Sequence, residues 1–380
     1  MNSSMSIGYQ NIGKSQQTDI LLVWQKTTPG GGAYNVIENL KHHLGQRINI
    51  FPLELYLDSI NRSKLMLLGF VPHLEIWKNR TGKIPLAFRF KSEYFQKRFS
   101  KLKLKPKVIF QVSGLFSARI TSIPLILYLD YTMHLALKWR AYAPYLCVSE
   151  LNMWHELENK LYSEANLIFV AQEHVRKDLL TFYHVDPSKV VISGFGYNDA
   201  FDDISNHISQ PSILCVLRQE QWKRKGGDVI LNAFKKIKKI IPDATLTVLG
   251  SKGKEVPGVN WLGKVYDFSK IKQIFAKHYY FCHVPFAEPF GIVYLEAMAA
   301  GLAIVASNVD AAPYLIKDGV NGYLVPPGNV DATAEALLQL LKNPSSAMKM
   351  GLRSKGVVKW YRWSEISKRL ITVMKNRGLI

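Results

Sequence analysis

The stretch FCHVPFAEPFGIVYLEAMAAGL, residues 281–302, decides how the sequence is interpreted. An apolar run typical of a strand is followed by a Pro-Phe-Gly turn and an Ala-rich run, so Gly291 is predicted to begin a helix. A helix start offers unpaired N–H groups and a partial positive charge, which suit a phosphate. Glu288 in the loop and Glu296 on the helix can accept hydrogen bonds from sugar hydroxyls. The stretch alone predicts a site for an anionic polyol.

Length and composition indicate a two-domain globular protein. A chain of 380 residues is too long for one ordinary core, and 48% hydrophobic with 21% charged residues is a globular composition. The three cysteines are far apart and favour a reducing cytoplasm over a disulfide framework or metal cluster. Residues 1–18 lack the apolar core of a signal peptide and are predicted to be a loose leader. No apolar run approaches the roughly 20 residues that span a bilayer.

The formal charge of +20 predicts a partner of opposite sign, and half of it lies in residues 78–107, with eleven Lys/Arg and one acid. A basic segment with apolar anchors is typical of contact with an anionic membrane surface. The alternative is a solvated surface. No nucleic-acid-binding motif is present, so we expect no nucleic-acid partner. The anchors that interrupt the charges are Phe88, Phe90, Tyr94, Phe95, Phe99, Leu102 and Leu104.

The N-terminal part begins as doubly wound α/β domains do. An apolar run at 19–24 leads into Gly30, Gly31 and Gly32, and a helical pattern follows. These glycines are predicted to let the backbone approach a ligand closely, the alternative being a flexible turn. The spacing is not that of a dinucleotide-binding loop.

Two candidate catalytic residues follow a predicted strand at 124–130. Asp130 ends this strand, and α/β sheets bind ligands at the carboxyl ends of their strands. His134 comes four residues later. Either residue could face the cleft, but His134 is equally compatible with a structural position.

A polar, breaker-rich stretch at 198–211 is the best linker candidate, and the β/α alternation restarts after it. We therefore predict two Rossmann-like domains, 1–197 and 212–360, that face each other across a deep cleft. The segment 361–380 is predicted to form a terminal helix with one apolar stripe.

Several motifs together resemble the retaining, nucleotide-sugar-dependent glycosyltransferases of family 4 (group 1). The resemblance is dense over about 150–365 and thin over 1–120. Its motifs are the E-x7-E pair Glu288…Glu296, Arg218…Lys225-Gly226, the strand ending at Gly250, the turn at 190–197 and Asp318-Gly-Val-Asn-Gly322.

This resemblance implies a GT-B fold, with the acceptor bound by the N-terminal domain and the donor by the C-terminal domain. It also implies that the terminal helix crosses back to the N-terminal domain. Glu288, a third candidate catalytic residue beside Asp130 and His134, would bind the donor sugar's hydroxyls, and Glu296 the nucleotide ribose. The remaining donor-binding positions implied are Arg218, Lys225, Gly250, Phe290, Gly291 and Ile292, with Lys223 or Arg224 as alternatives to Lys225.

The chain also departs from the family pattern. Leu217 stands where a glycine is common, the interval from Arg218 to Lys225 is longer than usual, and Asp310-Ala-Ala-Pro-Tyr314 replaces the usual Gly-Gly-x-x-Glu. These changes leave the diphosphate site intact and weaken any inference about the base or the sugar.

The expected function is transfer of a hexosyl unit from a UDP- or GDP-sugar, with retention and without a metal. The acceptor is expected to be a lipid-linked or surface-glycan precursor, with the enzyme cytoplasmic and peripheral at the inner face of the membrane. Front-face substitution is implied, in which the departing phosphate accepts the acceptor's proton. The alternatives are a soluble, possibly phosphorylated acceptor and a non-catalytic GT-B-like binding protein.

Overall fold

Two parallel six-stranded sheets form the framework of the molecule. The computed structural model describes residues 16–27, 31–138, 146–204 and 211–380. The first sheet has the order β2-β1-β3-β4-β5-β6 and the second β12-β11-β10-β7-β8-β9. The strands of the first sheet are β1 (Gln16–Gln25), β2 (Ile50–Leu55), β3 (Leu104–Val112), β4 (Leu125–Leu129), β5 (Leu167–Val170) and β6 (Val190–Ile192). Those of the second are β7 (Ser212–Val216), β8 (Thr245–Leu249), β9 (Val259–Gly263), β10 (Tyr280–His283), β11 (Ala303–Ser307) and β12 (Gly322–Val325).

Helices cover both faces of each sheet, so the central strands are continuously apolar: all five residues of β4 and of β11 are buried. In the first half the helices are α1 (Gly32–Gly45), α2 (Ser59–Leu68), α3 (Leu74–Thr81), α4 (Pro85–Phe99), α5 (Met133–Lys138), α6 (Val148–Glu164) and α7 (Glu173–Thr181). In the second half they are α8 (Gly227–Ile240), α9 (Phe268–Ala276), α10 (Ile292–Ala299), α11 (Ala312–Leu315), α12 (Val330–Lys342), α13 (Pro344–Val358) and α14 (Trp363–Asn376). None of these helices combines the length and the apolar character needed to cross a bilayer.

The terminal helix α14 packs on the first sheet, as predicted. Its residues Trp363, Ile366, Leu370 and Met374 are buried in the same apolar cluster as the strand β1 and the helix α1. The Arg369 guanidinium also donates a hydrogen bond to the main-chain oxygen of Ser193. The two-domain α/β fold with a helix that crosses back is therefore confirmed.

The predicted linker is described only in part. Phe201 and Ile204 are buried in the core of the second sheet, and Lys355 Nζ donates a 2.7 Å hydrogen bond to the Ile204 main-chain oxygen. Residues 205–210 lie outside the described part of the chain, as do most of the predicted leader and Gly30. The domain boundaries stay a prediction.

The apolar anchors of the basic segment 78–107 face the protein interior. The segment forms the end of α3, the whole of α4 and the beginning of β3. Phe88 packs edge-on against Trp154 at 5.9 Å, because α4 lies against α6 and β2. Phe88, Phe95 and Leu104 are buried, while Phe90, Tyr94, Phe99 and Leu102 are partly buried against apolar clusters. Burial contradicts the prediction of membrane anchoring for Phe88, Phe95 and Leu104, and membrane contact by the rest of the segment stays a prediction.

Candidate active site

Two cavities lie at the carboxyl ends of the two sheets. The larger, of about 820 Å³, extends from α1 to the ends of β7 and β8 and is lined by Arg218, Gly250, Ile292 and Glu296. The smaller, of about 290 Å³, lies at the ends of β1, β3 and β4, where Asp130 lines it. Pro289 and Phe290 of the second domain close the smaller cavity. Val36 of α1 lines both cavities, so the two spaces adjoin beside α1 and the loop before α10.

Backbone geometry at two glycines brings main chain to the larger cavity. Gly291 precedes α10 with φ +70°, and no side chain caps this helix start. A Cβ at Gly291 would lie 2.9 Å from Leu315 Cδ1. Gly250 has φ +101°, and a Cβ there would lie 2.5 Å from the Leu217 main-chain oxygen. The start of α10 thus presents N–H groups beside the cavity. Glycine is needed at both positions because a Cβ would meet neighbouring protein atoms.

Glu288 is a buried carboxylate with two nitrogen partners on one oxygen. Lys225 Nζ donates a short hydrogen bond to Oε2, and His283 Nε2 lies 2.7 Å from the same atom. Burial alone would raise the pKa of Glu288, but Lys225 and His283 overcome that effect and hold the pKa well below its ordinary value. Glu288 is therefore ionised at neutral pH.

The second oxygen of Glu288 differs from the first in its partners, although Glu288 is buried and lines neither of the two cavities. Within the described ranges of the chain, no residue donates a hydrogen bond to Oε1. The main-chain N–H of Glu288 donates to Asp310 Oδ2 at 2.9 Å, which fixes the loop in front of α10. An ionised, fixed carboxylate oxygen accepts hydrogen bonds from sugar hydroxyls well.

The structure distinguishes among the three adjacent cations. Lys225 forms the ion pair with Glu288, and Arg224 donates to the Ala287 main-chain oxygen at 3.0 Å. Lys223 is exposed. Arg218, at the end of β7, lines the larger cavity directly. Lys225 is thus the cation nearest the predicted sugar-binding carboxylate, while its contact with a diphosphate stays a prediction.

Glu296 lies on the first turns of α10 and lines the larger cavity. Burial raises its pKa to about 7. Within the described chain it forms no ion pair. A carboxylate that lacks a protein partner in a cavity of this size is placed to accept hydrogen bonds from the hydroxyls of a bound ribose.

Asp130 and His134 occupy different environments. Asp130 lines the smaller cavity together with Lys83, and burial raises its pKa to about 6 while Lys83 opposes the rise. His134 lines neither cavity, because α5 turns it towards α7. Its ring stacks on Phe182 at 3.7 Å, and Nδ1 lies 2.5 Å from Asp178 Oδ1. The structure brings Asp130 to the cleft and gives His134 structural partners instead.

The glycine loop reaches the opposite side of the cleft from α10. Gly31 directly precedes α1, and a Cβ at Gly32 would lie 4.0 Å from Ile292 Cδ1. Asn35 and Val36 on the first turn of α1 line the larger cavity. The start of α1 and the start of α10 therefore face each other.

Two residues of the site were missed by sequence reasoning. In the sequence, His283 is indistinguishable from the other residues of a buried strand. Its contact with Glu288 is indicated only by the spacing of five residues between them. Asp310 was noted as a departure from a glycine pattern, and its φ of +46° explains why glycine is common there. Asp310 Oδ1 also accepts a 3.1 Å hydrogen bond from Tyr131 of the first domain. Asp310 thus connects the Glu288 loop with the residue that follows Asp130.

Solved structures with this architecture are glycosyltransferases and related synthases. Sucrose-phosphate synthase from Thermosynechococcus elongatus superposes with a TM-score of 0.72 at 15% identity, covering 95% of this chain and 99% of that one. HepE from Anabaena, solved with UDP-glucose, superposes with a TM-score of 0.64 at 15% identity, covering 94% and 100%. These likenesses show the fold, which is GT-B.

Sequence comparison supplies the family. Residues 210–343 match the family described as Glycosyl transferases group 1. Phosphatidyl-myo-inositol mannosyltransferase from Mycobacterium leprae is 33% identical over 159 residues, which cover 40% of this chain and 42% of that protein. Alpha-maltose-1-phosphate synthase from Mycobacterium tuberculosis is 28% identical over 142 residues, 36% and 37% of the two chains. The chain thus spans about two fifths of the length of these relatives. The family match over residues 210–343 and the GT-B fold confirm the predicted resemblance to the group 1 glycosyltransferases.

Proposed function

We propose that the protein transfers a hexosyl unit, with retention, from a nucleotide-diphosphate sugar to a lipid-linked acceptor. One observation carries the proposal: the larger cavity joins Arg218, Glu296 and the start of α10 in one space. These groups suit a phosphate and a ribose, and Glu288 with its ion pair lies in the loop just before α10.

The donor's leaving group gains negative charge as the glycosidic bond breaks. The guanidinium of Arg218, the ammonium of Lys225 and the N–H groups at Gly291 and Ile292 would stabilise that charge, and Phe290 would add its main-chain N–H. We propose no metal ion for this step. Glu288 would hold the sugar hydroxyls through Oε1, while Lys225 and His283 hold Oε2.

The donor is proposed to be a UDP- or GDP-sugar. HepE was solved with UDP-glucose, and the larger cavity would hold a ligand of the same kind. Tyr266 lies at the rim of the larger cavity with 88% of its surface exposed, which offers a ring on which a nucleobase can stack.

The acceptor is proposed to bind in the smaller cavity with its reactive hydroxyl near Asp130. Several relatives are named as phosphatidyl-myo-inositol mannosyltransferases, which supports a lipid-linked acceptor and work at the inner face of a membrane. The three cysteines are free, which supports a cytoplasmic setting. A soluble phosphorylated acceptor is the second candidate, favoured by Lys83 in the same cavity.

Nucleotide sugars are expected to stabilise the protein. A ligand that binds only the native state at about 100 times its Kd adds about 2.7 kcal/mol, which raises Tm by several degrees. Thermal unfolding with UDP-, GDP- and ADP-sugars measures this, with the corresponding free sugars as controls. If no nucleotide sugar shifts Tm, the proposal of a donor site fails and the protein is a binding module of another kind.

Asp130→Asn is expected to lower kcat for transfer at least about tenfold while leaving nucleotide affinity unchanged. The reason is that Asp130 lines the acceptor cavity and not the nucleotide cavity. Transfer of labelled sugar to a membrane extract measures kcat, and His134→Asn is the control. Equal loss in both variants would contradict the assignment of Asp130 to the cleft.

A further inference from the structure

A concentration of exposed apolar side chains covers residues 56–74 of the first domain. The helix α2 buries only Leu65, although most of its C-terminal half is apolar. Leu67 is 77% exposed, Ile60 68% and Phe70 61%. The exposed apolar residues of this surface, called here the α2 surface, are Tyr56, Ile60, Met66, Leu67, Leu68, Phe70 and Leu74. Scattered single exposed apolar residues are ordinary, but a contiguous set marks a site of interaction.

The α2 surface is also cationic. Ile60, Lys64 and Leu67 are spaced by four and three residues, so they share one face of the helix. Arg62 and Lys64 are both exposed. The carboxylate of Asp58 caps the helix by accepting the Asn61 N–H at 2.8 Å. The exposed face therefore combines large apolar side chains with positive charge.

The α2 surface adjoins the mouth of the smaller cavity. Lys26 lines that cavity, and its Nζ lies 5.9 Å from the ring centroid of Tyr56. Arg98 lies at 5.9 Å from the same ring. On the other side, Lys83 lines the cavity two residues after the end of α3. An acceptor whose polar head lies in the cavity would leave it beside Lys26 and the exposed ring of Tyr56, where the α2 surface begins.

We propose that the α2 surface lies on an anionic lipid bilayer and presents the smaller cavity to acceptors held in that bilayer. The proposal deepens, and rests on, the proposed function with a lipid-linked acceptor. Apolar side chains enter the acyl boundary, and Arg62, Lys64, Lys26 and Arg98 contact anionic head groups. The positive charge of the basic segment favours the same membrane, although its own aromatic residues are buried.

A bilayer fits this surface better than a protein partner does. The exposed residues lie on α2, on the chain on either side of it and at the first residue of α3, and none of them lines either of the two cavities described above. The formal charge of +20 gives the chain a general attraction to anionic lipid. The α2 surface is also continuous with the proposed acceptor cavity through Tyr56 and Lys26. A bilayer fits this arrangement because it can also supply a lipid-linked acceptor.

Co-sedimentation of the full chain with vesicles tests the proposal. The chain is expected to bind phosphatidylcholine vesicles that contain phosphatidylglycerol, and to bind pure phosphatidylcholine and high-salt samples more weakly. The variant Ile60→Ser/Leu67→Ser is expected to lower vesicle affinity at least about tenfold. Arg62→Gln/Lys64→Gln is expected to reduce the preference for anionic vesicles.

The matched control is Leu352→Ser/Val357→Ser, which changes two exposed apolar residues of α13 in the other domain and should bind like the parent chain. Vesicle binding unchanged by Ile60→Ser/Leu67→Ser would overturn the proposal. The proposal would also be overturned if the parent chain does not bind vesicles but forms a dimer, and if Ile60→Ser/Leu67→Ser dissociates that dimer. The nucleotide-induced shift in Tm should persist in every variant. If vesicles bind and nucleotide sugars do not, the proposed function fails while the surface stands.

Discussion

Lys225→Met is expected to destabilise the fold and to abolish sugar transfer at the same time. The side chains of Lys225 and Glu288 are 12% and 8% exposed and form a buried ion pair. Removing Lys225 leaves the Glu288 carboxylate with only His283 on that oxygen, and removal of one partner of a buried ion pair costs about 3–5 kcal/mol. If Lys225 stabilises the leaving diphosphate as proposed, its removal should lower kcat by a further factor of about 10² to 10³.

The double variant Lys225→Met/Glu288→Gln separates the two effects of the substitution. Without a charge at position 288, no buried carboxylate lacks a partner, so much of the lost stability should return. Transfer should stay abolished, because neither the cation nor the ionised sugar-binding oxygen is present. Denaturant unfolding measures the first quantity and single-turnover transfer the second.

The control for this cycle is Lys223→Met, two positions away and exposed. It removes the same charge from the same loop without touching Glu288. We expect wild-type stability and nearly wild-type transfer. If Lys223→Met instead abolishes transfer and Lys225→Met does not, the diphosphate cation is the neighbouring lysine and the ion pair of Lys225 is only structural.

The local chemistry of residues 281–302 could be predicted because it depends on neighbours in sequence. A strand, a Pro-Phe-Gly turn and a helix place Glu288 and Glu296 whatever the rest of the chain does, and Gly291 indeed begins α10. The partners of Glu288 were harder to predict. Lys225 lies 63 positions away, and which of three cations reaches the carboxylate depends on how the turn before α8 lies against the chain after β10, where the Phe286 N–H donates to the Arg224 main-chain oxygen.

The basic segment 78–107 shows that composition does not predict which side chains are exposed. Charges and aromatic residues alternate there in a way that suits a membrane surface, but composition does not say which face of a helix is covered. Because α4 lies against α6 and β2, the aromatic residues are core. The neighbouring helix α2 has less charge and is less conspicuous in sequence, yet most of its apolar side chains are exposed to solvent.

His134 illustrates a related limit. Proximity in sequence to Asp130 suggested a shared role, but β4 ends at Leu129 and α5 begins at Met133. A chain that turns from a strand into a helix within a few residues points successive side chains in different directions. Asp130 therefore faces the cavity, whereas His134 faces Phe182 and Asp178.

Glu296→Gln is expected to stabilise the unliganded protein above pH 7 while weakening nucleotide binding. Burial raises the pKa of Glu296 to about 7, above its ordinary value of 4.5, so the native state holds the proton more tightly than the unfolded state does. The carboxyl therefore has no effect on stability below pH 4.5. Its penalty grows between pH 4.5 and 7 and is complete above pH 7.

The size of that penalty follows from the pKa difference. One pKa unit corresponds to about 1.4 kcal/mol, but the carboxylate is in partial contact with cavity water, so we expect a gain of about 1–3 kcal/mol for the glutamine variant. The gain should be near zero at pH 4 and largest at pH 8. Denaturant unfolding at both pH values measures it, and Glu335→Gln, an exposed position on α12, should change little at either.

Nucleotide binding should change in the opposite direction. An ionised carboxylate accepts ribose hydrogen bonds more strongly than an amide does, so nucleotide-sugar affinity should fall at least about tenfold in Glu296→Gln. In the parent chain, affinity should also decline as pH falls below 7, because the proton competes with the ribose; the variant should lack this dependence. A variant that is less stable at pH 8, or that keeps both the affinity and its pH dependence, would show that Glu296 does not bind the ribose. The proposed ribose contact would explain why a carboxylate with no ion-pair partner among the described residues is kept at a cost in stability.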